Sequence, residues 1–282
     1  MRLFLLTALT MVAFAANSIL TRLAVNGGHI GPESFAVLRV FSGAVVLWVL
    51  IAARGTGLPP LNRSRLVGAL SLTAYMVGFT LAYRTLDAGF GALILFGVVQ
   101  MSMFLHGLLT GAAPTPRQLT GAGIAFAGLV LVLWPGPGAA ADPAGAALMV
   151  AAGIGWAVYT LSGRGAGDPL RVTAGNFVLC LPFTALLLLA GDLQASLAGV
   201  ALAVLSGGVT SGLGYALWYA VLPRLQQSAA AVVQLSVPVI AILGGAALLG
   251  ERLSVMTAVA VLLVLGGIAL AVTARSSRAD RS

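Results

Sequence analysis

The sequence GLLTGAAPTPRQLTG at residues 107–121 runs directly into AGIAFAGLVL at residues 122–131. A related pattern returns 139 residues later, where AALLGERLS at residues 246–254 precedes GGIAL at residues 266–270. The positions that match at this spacing are Gly111 with Gly250, Thr115 with Ser254 and Gly128 with Gly267. Each match is weak by itself, but their shared spacing and order indicate an internal repeat.

Further matches extend the repeat towards the N-terminus. They are Gly78 with Gly214 and Tyr83 with Tyr219 at a spacing of 136, and Phe14 with Trp156 at a spacing of 142. The repeat therefore predicts two units, residues 1–138 and residues 139–274, followed by a tail at residues 275–282.

The composition places both units in a membrane. Sixty per cent of the 282 residues are apolar, eight per cent are charged and the mean hydropathy is +1.05. Soluble domains are about one quarter charged. The charged residues also cluster at intervals of roughly 20 to 30 residues, which is the rhythm of repeated crossing, because a helix needs about 20 apolar residues to span a bilayer.

The apolar runs predict ten transmembrane helices. Their approximate spans are 3–25, 35–53, 66–84, 88–111, 116–134, 144–162, 171–190, 197–222, 228–250 and 254–274. Each unit then holds five helices, an odd number, so the second unit enters the membrane from the side opposite to the first. The predicted fold class is an all-α integral membrane protein of two inverted five-helix repeats, an architecture that recurs in transporters.

The arginines predict the orientation. With the N-terminus in the cytoplasm, eleven arginines fall on the inner side, and only Arg22, Arg84 and Arg252 fall on the outer side. The positive-inside rule therefore predicts that both termini are cytoplasmic, in a multi-pass protein of the bacterial inner (plasma) membrane.

The N-terminus also has features of a signal peptide. Met1 and Arg2 precede an apolar stretch, and the residues around Phe14 resemble a cleavage site. Because the apolar run continues to Val25 and nine similar runs follow, an uncleaved first helix is the favoured interpretation.

Several function classes are excluded or disfavoured. All fifteen basic side chains are arginine, and without lysine neither a Walker A loop nor a Schiff-base cofactor site can form. The single Cys180 allows no intrachain disulfide and no thiolate cluster. The net charge of +8 is divided among separate loops, so nucleic acid is not expected as a partner. We expect no catalytic residue, no metal and no cofactor.

The stretch YALWYAVLPRLQQSAAAVVQLSVP at residues 215–238, followed by LGERLS at residues 249–254, resembles the second repeat of EamA-type transporters in the drug/metabolite transporter superfamily. The specific part is the combination of Pro238 with Glu251 and the glycine before it. The first repeat departs from this pattern, because Ala112 stands where the counterpart of Glu251 would be. Within the superfamily the chain most resembles the YddG-type exporters, and this resemblance implies export of aromatic and other neutral amino acids and related metabolites.

Aromatic side chains predict a substrate cavity. Stripes on the third and eighth predicted helices, with a similar pair on the sixth, could face one another and stack on an apolar or aromatic ligand. These candidates are Tyr75, Phe79, Tyr83, Trp156, Tyr159, Tyr215 and Trp218. The alternative is a belt of interfacial aromatics, which Tyr83 and Tyr219 fit equally well because they lie near helix ends.

Polar groups inside the predicted spans are few, which makes each a candidate. Asn17, Gln100 and Gln234 could bind a substrate or bond to a neighbouring helix. Arg39 could contact a substrate carboxylate, or its guanidinium could extend towards the headgroups, which is the favoured interpretation. Pro182 and Pro238 each remove a helical hydrogen bond and are predicted hinges.

These features predict a transporter working by alternating access. No carboxylate lies deep in a predicted span, which disfavours proton-coupled multidrug efflux, the alternative function. We expect export of neutral amino acids, with aromatic ones favoured, or of related small metabolites. The expected partners are that substrate and membrane lipid, with the chain a monomer or a homodimer.

Overall fold

A series of long helices, joined by short connections, accounts for most of the chain. The computed structural model describes residues 2–111, 115–133, 142–163, 167–189, 191, 193–225, 233–234, 236–251 and 255–272. Within these ranges no β-strand is present, and the one isolated bridge joins Ile30 and Ala195. The helices, numbered in chain order, are α1 (Arg2–Asn26), α2 (Pro32–Ala53), α3 (Arg63–Ala82), α4 (Ala88–Leu109), α5 (Pro116–Leu133), α6 (Pro143–Gly163), α7 (Pro169–Ala185, extended by a 3₁₀ turn at Leu186–Leu189), α8 (Leu197–Arg224), α9 (Ser236–Leu249) and α10 (Val255–Val272).

The membrane character of these helices is confirmed. Seven of the described helices, α1 to α4 and α6 to α8, are long and apolar enough to cross a bilayer. Helix α9 and residues Ala258–Ala271 of α10 are apolar but shorter. A helix overlaps each of the ten predicted spans, although part of the ninth span, 228–250, falls outside the described residues. The number of crossings and their orientation stay predictions.

Several helices begin at residues that satisfy their first N–H groups. The Asn62 side chain accepts a hydrogen bond from the Arg65 N–H at 2.9 Å before α3. Asp168 accepts from two N–H groups before α7, and Ser196 accepts from one before α8. These caps let short connections end in helices without leaving backbone donors unpaired.

The helix packing repeats between the two halves of the chain. The most extensive pairs are α1 with α8 and α9, α2 with α3, α7 and α8, α3 with α6 and α7, α4 with α6 and α9, α7 with α8, and α5 with α10. If each of α1 to α5 is exchanged with the helix five places later in the chain, every pair in this set becomes either the same pair or another pair of the set. The pair α1–α8, for example, becomes α6–α3. The packing thus has the symmetry of two exchangeable sets of five helices, while the division into units 1–138 and 139–274 and their inversion in the bilayer stay predictions.

The glycines of the repeated sequence lie where α5 and α10 meet. A Cβ on Gly121 would lie 2.5 Å from the carbonyl oxygen of Gly267, and a Cβ on Gly267 would lie 2.6 Å from that of Gly121. A Cβ on Gly128 would lie 2.8 Å from the Cβ of Leu263. Helices in membranes associate closely through such small residues, so the repeated glycines have a packing role.

Five connections meet at one end of the molecule, which we call the Glu251 end. They are joined by the contacts of Arg22 with Asp87 (2.9 Å), Ala88 N with Glu251 Oε1 (2.6 Å), Thr85 Oγ1 with Asp142 Oδ2 (3.2 Å) and Ser196 N with His29 O (2.8 Å). At the other end, the Arg171 end, Arg171 Nε donates to the Gly57 carbonyl at 2.8 Å. The helices therefore alternate in direction between these two ends.

Candidate functional site

The middle of α8 departs from α-helical geometry. Residues Leu205–Leu213 form a π-helix between α-helical segments at Leu197–Val204 and Gly214–Val221. Gly207, inside this segment, lies so close to α2 that a Cβ would collide with the Arg39 carbonyl and the Ser42 hydroxyl. Because π-helical turns are rare and are frequent at functional sites, this part of α8 is the first indication of a site.

Asn17 holds the π-helix from α1. Its Nδ2 donates to the Thr210 carbonyl at 3.1 Å. Its Oδ1 accepts from the hydroxyls of Ser206 (3.0 Å), Ser211 (3.1 Å) and Thr210. Asn17 is 1% exposed, and its oxygen is fully used within the protein.

Arg39 of α2 lies inside the bundle with 0% of its surface exposed. Its Nε donates to Ser211 Oγ at 2.9 Å, and its Nη2 donates to the hydroxyls of Tyr215 at 2.9 Å and Tyr75 at 3.3 Å. The guanidinium carbon lies 4.8 Å from the centre of the Phe79 ring, and Nη1 has no hydrogen-bond partner in the described structure. The favoured interpretation, in which Arg39 extends to the headgroups, is wrong, because hydroxyls of α3 and α8 hold its side chain inside the protein.

No carboxylate pairs with Arg39 in the part of the chain that the structure describes. The ion pairs there are Arg22 with Asp87, Arg22 with Glu251 and Arg84 with Glu33. Burying an ion costs several kcal/mol, and an unpaired charge in a membrane protein marks a functional site by default. The guanidinium therefore has both the charge and a free donor for an anionic ligand.

Aromatic rings from four helices surround the hydroxyl partners of Arg39. The Trp156 ring lies 4.8 Å from that of Tyr215, 4.9 Å from that of Tyr75 and 5.5 Å from that of Phe14, measured between centres. The Tyr215 and Tyr75 hydroxyls bond to each other at 3.0 Å. These distances lie in the range of attractive ring pairs, so the stripes on α3 and α8 meet inside the bundle.

A small gap remains between these rings, with room for about one water molecule. It is lined by Phe14, Asn17, Tyr75, Phe79, Leu95, Phe96, Trp156 and Tyr215. The lining residues come from α1, α3, α4, α6 and α8, so both halves of the chain contribute. Ligand sites for small molecules measure about 300 Å³ or more, so a substrate can enter only after the helices separate.

Five of the predicted cavity residues line this gap: Asn17, Tyr75, Phe79, Trp156 and Tyr215. The other five are buried but are not among its lining residues: Tyr83, Gln100, Tyr159, Trp218 and Gln234.

The interfacial-belt alternative is wrong for Tyr83 and Tyr219. They are 0% and 5% exposed, respectively. The Tyr83 hydroxyl donates to the Ala88 carbonyl at 3.2 Å, and the Tyr219 hydroxyl donates to the backbone carbonyl of Tyr159 at 3.0 Å. Both rings therefore lie inside the protein near helix ends, where sequence position alone did not separate a belt from a core.

Phe14, Leu95 and Phe96 line the gap but were not among the predicted site residues. Phe14 was accessible to prediction, because it matches Trp156 in the repeat. Leu95 and Phe96 lie on α4, where residues 88–99 are all apolar and give no sign of which face is functional.

The two predicted hinges lie within helices. Pro182 lies in the last turn of α7, which passes into the 3₁₀ turn at Leu186–Leu189. Pro238 lies near the start of the described part of α9, and residue 235 is outside the described residues. Their hinge roles stay predictions.

In the described ranges, no group of three or more His, Cys, Asp or Glu residues could hold a metal ion. Cys180 is a buried free thiol whose Sγ lies 3.1 Å from the Thr73 hydroxyl. It contacts α3 and does not line the gap.

Glu251 binds the start of α4. Its Oε1 accepts from the Ala88 N–H at 2.6 Å and its Oε2 accepts from the Gly89 N–H at 3.4 Å. Arg22 Nε lies 3.8 Å from Oε1. Burial raises the pKa of the Glu251 carboxyl above its ordinary value, although the N–H donors and Arg22 oppose the change. Glu251 therefore holds the α9–α10 connection against the N-terminus of α4.

The chain is similar in sequence to membrane transporters and in fold to a protein of known structure. The model of the EamA-like transporter family matches residues 143–273. An uncharacterized protein of Pseudomonas aeruginosa is 50% identical over 283 residues, covering 99% of this chain and 98% of the relative. An uncharacterized transporter of Archaeoglobus fulgidus is 27% identical over 281 residues, covering 94% of this chain and 96% of its own. A protein of known crystal structure is similar in fold, with a TM-score of 0.69 at 21% identity, covering 95% of this chain and 98% of that protein.

Proposed function

The chain belongs to the EamA-like transporter family, and from this premise we propose that it exports neutral amino acids, with aromatic ones favoured, or related small metabolites. Transport proceeds by alternating access across the bacterial inner membrane. The observation that carries this proposal is the gap lined by Trp156, Tyr75, Tyr215 and Phe14. Arg39 is buried next to it and donates to the hydroxyls of the two tyrosines.

Each part of an aromatic amino acid has a counterpart at this gap. The rings offer faces and edges for stacking on an apolar or aromatic side chain. Arg39, with its free Nη1, is the contact for the α-carboxylate. The gap has room for about one water molecule, so binding requires a conformation in which α1, α3, α4, α6 and α8 have moved apart.

The proposed architecture is that of two inverted units, residues 1–138 and 139–274, with both termini in the cytoplasm. The match of the family model to residues 143–273 supports the second unit. Alternating access then consists of movement of the two halves about a site between them. In this arrangement the Glu251 end faces the outside and the Arg171 end faces the cytoplasm.

Proton-coupled multidrug efflux remains the alternative function. Such an exporter holds a cationic drug and protons at a membrane-embedded carboxylate, and none of the acidic residues that the structure describes lines the gap. A pH gradient that drives uptake of a cationic dye into proteoliposomes would favour this alternative over amino-acid export.

Counterflow in proteoliposomes tests the proposal. Vesicles containing the purified protein are loaded with one unlabelled neutral amino acid and diluted into the same labelled compound, for a panel that includes phenylalanine, tryptophan and leucine. We expect label to accumulate transiently for the aromatic members, and not in protein-free vesicles. If no neutral amino acid exchanges, the amino-acid assignment is wrong.

Two tryptophan variants provide a matched control. Trp156→Ala removes the central ring of the gap, whereas Trp48→Ala removes a ring that is 55% exposed on α2. We expect Trp156→Ala to reduce counterflow about tenfold, because stacking and burial of a ligand ring contribute about 1.5 kcal/mol. Trp48→Ala should leave counterflow within about twofold.

A further inference from the structure

We infer that this site requires the carboxylate of its ligand and not the ammonium group, so that aromatic monocarboxylates without an amino group are ligands as well. The inference rests on the proposed function, since it concerns the same gap. It extends the substrate class from amino acids to apolar monocarboxylic acids.

Three buried N–H donors without a described partner belong to residues that line the gap or lie next to its lining residues. Arg39 Nη1, Trp156 Nε1 and Gln100 Nε2 are buried and have no hydrogen-bond partner in the described structure. Trp156 lines the gap, and Arg39 bonds to Tyr75 and Tyr215, which both line it. Gln100 lies one turn along α4 from the lining residue Phe96. All three atoms are N–H donors, so the group that would satisfy them is an acceptor with several lone pairs, such as a carboxylate.

The two tyrosines add another donor. Arg39 Nη2 donates to both hydroxyl oxygens, and one hydroxyl proton forms the bond between Tyr75 and Tyr215. The Tyr215 hydroxyl donates to Tyr75, so the hydroxyl proton of Tyr75 is not used in the described contacts. Donation by a cation to the phenol oxygens also makes that proton a stronger donor, because successive hydrogen bonds polarise one another.

Among the described side chains that line the gap, none offers a corresponding group for an ammonium. The Asn17 oxygen already accepts three hydrogen bonds, and none of the described acidic residues lines the gap. At the gap a cation would meet ring faces and tyrosine oxygens that already accept from Arg39, and the positive charge of Arg39 opposes its approach. The carboxylate of an amino acid therefore supplies the polar recognition, and its ammonium adds none.

Three ligands separate these contributions. Isothermal titration calorimetry of the purified full-length protein in detergent at pH 7 compares phenylalanine, 3-phenylpropanoate, which lacks the ammonium, and phenethylamine, which lacks the carboxylate. We expect 3-phenylpropanoate to bind at least as tightly as phenylalanine and phenethylamine to bind at least about tenfold more weakly. Phenethylamine binding as tight as phenylalanine, or the absence of 3-phenylpropanoate binding, overturns the inference.

Matched tyrosine variants localise the effect. Tyr75→Phe removes one hydroxyl of the pair, whereas Tyr219→Phe removes a hydroxyl of α8 that bonds to the Tyr159 carbonyl away from the gap. Loss of one hydrogen bond predicts that Tyr75→Phe weakens 3-phenylpropanoate binding about three- to tenfold, with Tyr219→Phe within about twofold. Equal effects of the two variants would place the carboxylate elsewhere and overturn the inference.

The two levels of assignment fail separately. If 3-phenylpropanoate binds as expected while no neutral amino acid exchanges in proteoliposomes, amino-acid export is wrong and the carboxylate inference stands. If phenylalanine exchanges but 3-phenylpropanoate does not bind, amino-acid export stands and the inference is overturned.

Discussion

Asn17 and Arg39 are two polar side chains buried in an apolar bundle, and their hydrogen bonding differs. The Asn17 amide bonds to a carbonyl and three hydroxyls of the π-helix, so its burial is compensated within the protein. Arg39 bonds to three hydroxyls but retains a free Nη1 and an unpaired charge. The first residue therefore has a structural role, and the second is the ligand contact that we propose.

Asn17→Ala tests the structural role. The change leaves the Thr210 carbonyl and the Ser206 and Ser211 hydroxyl protons without their partner, whereas the Thr210 hydroxyl keeps its bond to the Ser206 carbonyl. Unsatisfied buried groups cost about 1–3 kcal/mol each, so we expect a loss of at least about 2 kcal/mol in the free energy of unfolding. The measurement is the unfolding transition of the detergent-solubilised protein. Asn26 lies on α1 like Asn17, and Asn26→Ala removes an exposed hydrogen bond to the Arg84 carbonyl. This control should change the free energy of unfolding by less than about 0.5 kcal/mol. Similar losses for both variants would contradict the assignment.

At the scale of helices and connections, hydropathy and glycine spacing predicted most boundaries. Predicted spans such as 88–111 and 116–134 end within two residues of α4 (Ala88–Leu109) and α5 (Pro116–Leu133). The π-helix at Leu205–Leu213 was not predicted, because glycine, serine and threonine fit several helix geometries and only the contacts with α1 and α2 select this one.

Two glycines of α5 provide a test of the α5–α10 contact. A Cβ on Gly121 would lie 2.5 Å from backbone atoms of α10, whereas a Cβ on Gly123 would meet nothing within 4 Å. We expect Gly121→Ala to destabilise the protein by about 1–3 kcal/mol through overpacking, and Gly123→Ala to be neutral or stabilising by about 0.5–1 kcal/mol through helix propensity. Thermal unfolding of both variants in one detergent measures the difference, and a tolerated Gly121→Ala would refute the close approach.

Glu251 predicts a pH dependence at the Glu251 end. Because burial raises its pKa in the folded protein, ionisation costs more there than in the unfolded chain. The contribution of Glu251 to stability is therefore largest below its ordinary pKa and is lost as the pH rises through the folded value. Glu251→Gln cannot ionise and its side-chain oxygen can still accept from Ala88, so it should lack this loss.

The measurement is the melting temperature of both proteins in detergent between about pH 4 and pH 7, a range that begins near the ordinary carboxyl pKa and extends above it. The melting temperature of the unmodified protein, minus that of Glu251→Gln, should fall as the pH rises. Asp168→Asn at the opposite end of the molecule controls for general effects of removing a carboxylate. A difference that stays constant or grows with pH contradicts the raised pKa.

At the scale of the whole molecule, alternation of the helices places Asn26 at the Glu251 end and Gly57 at the Arg171 end. The arginine distribution predicts that the Arg171 end is cytoplasmic. In a Cys180→Ser background, a membrane-impermeant maleimide should label Asn26→Cys from outside intact spheroplasts. It should label Gly57→Cys only after permeabilisation. Labelling of both positions from outside, or the reverse pattern, would contradict the orientation.

The sequence by itself determined the membrane environment and the approximate helices, because these depend on local hydrophobicity, and it predicted the repeat from the spacing of like residues. It also selected Tyr75, Phe79, Trp156 and Tyr215, since aromatic stripes follow from helical periodicity. Only the tertiary structure decided that Arg39 lies inside, because residues far along the chain supply its hydroxyl partners. The aromatic gap likewise forms only when helices from both halves of the chain pack together. An isolated α2 in lipid would have no partner for the charge of Arg39.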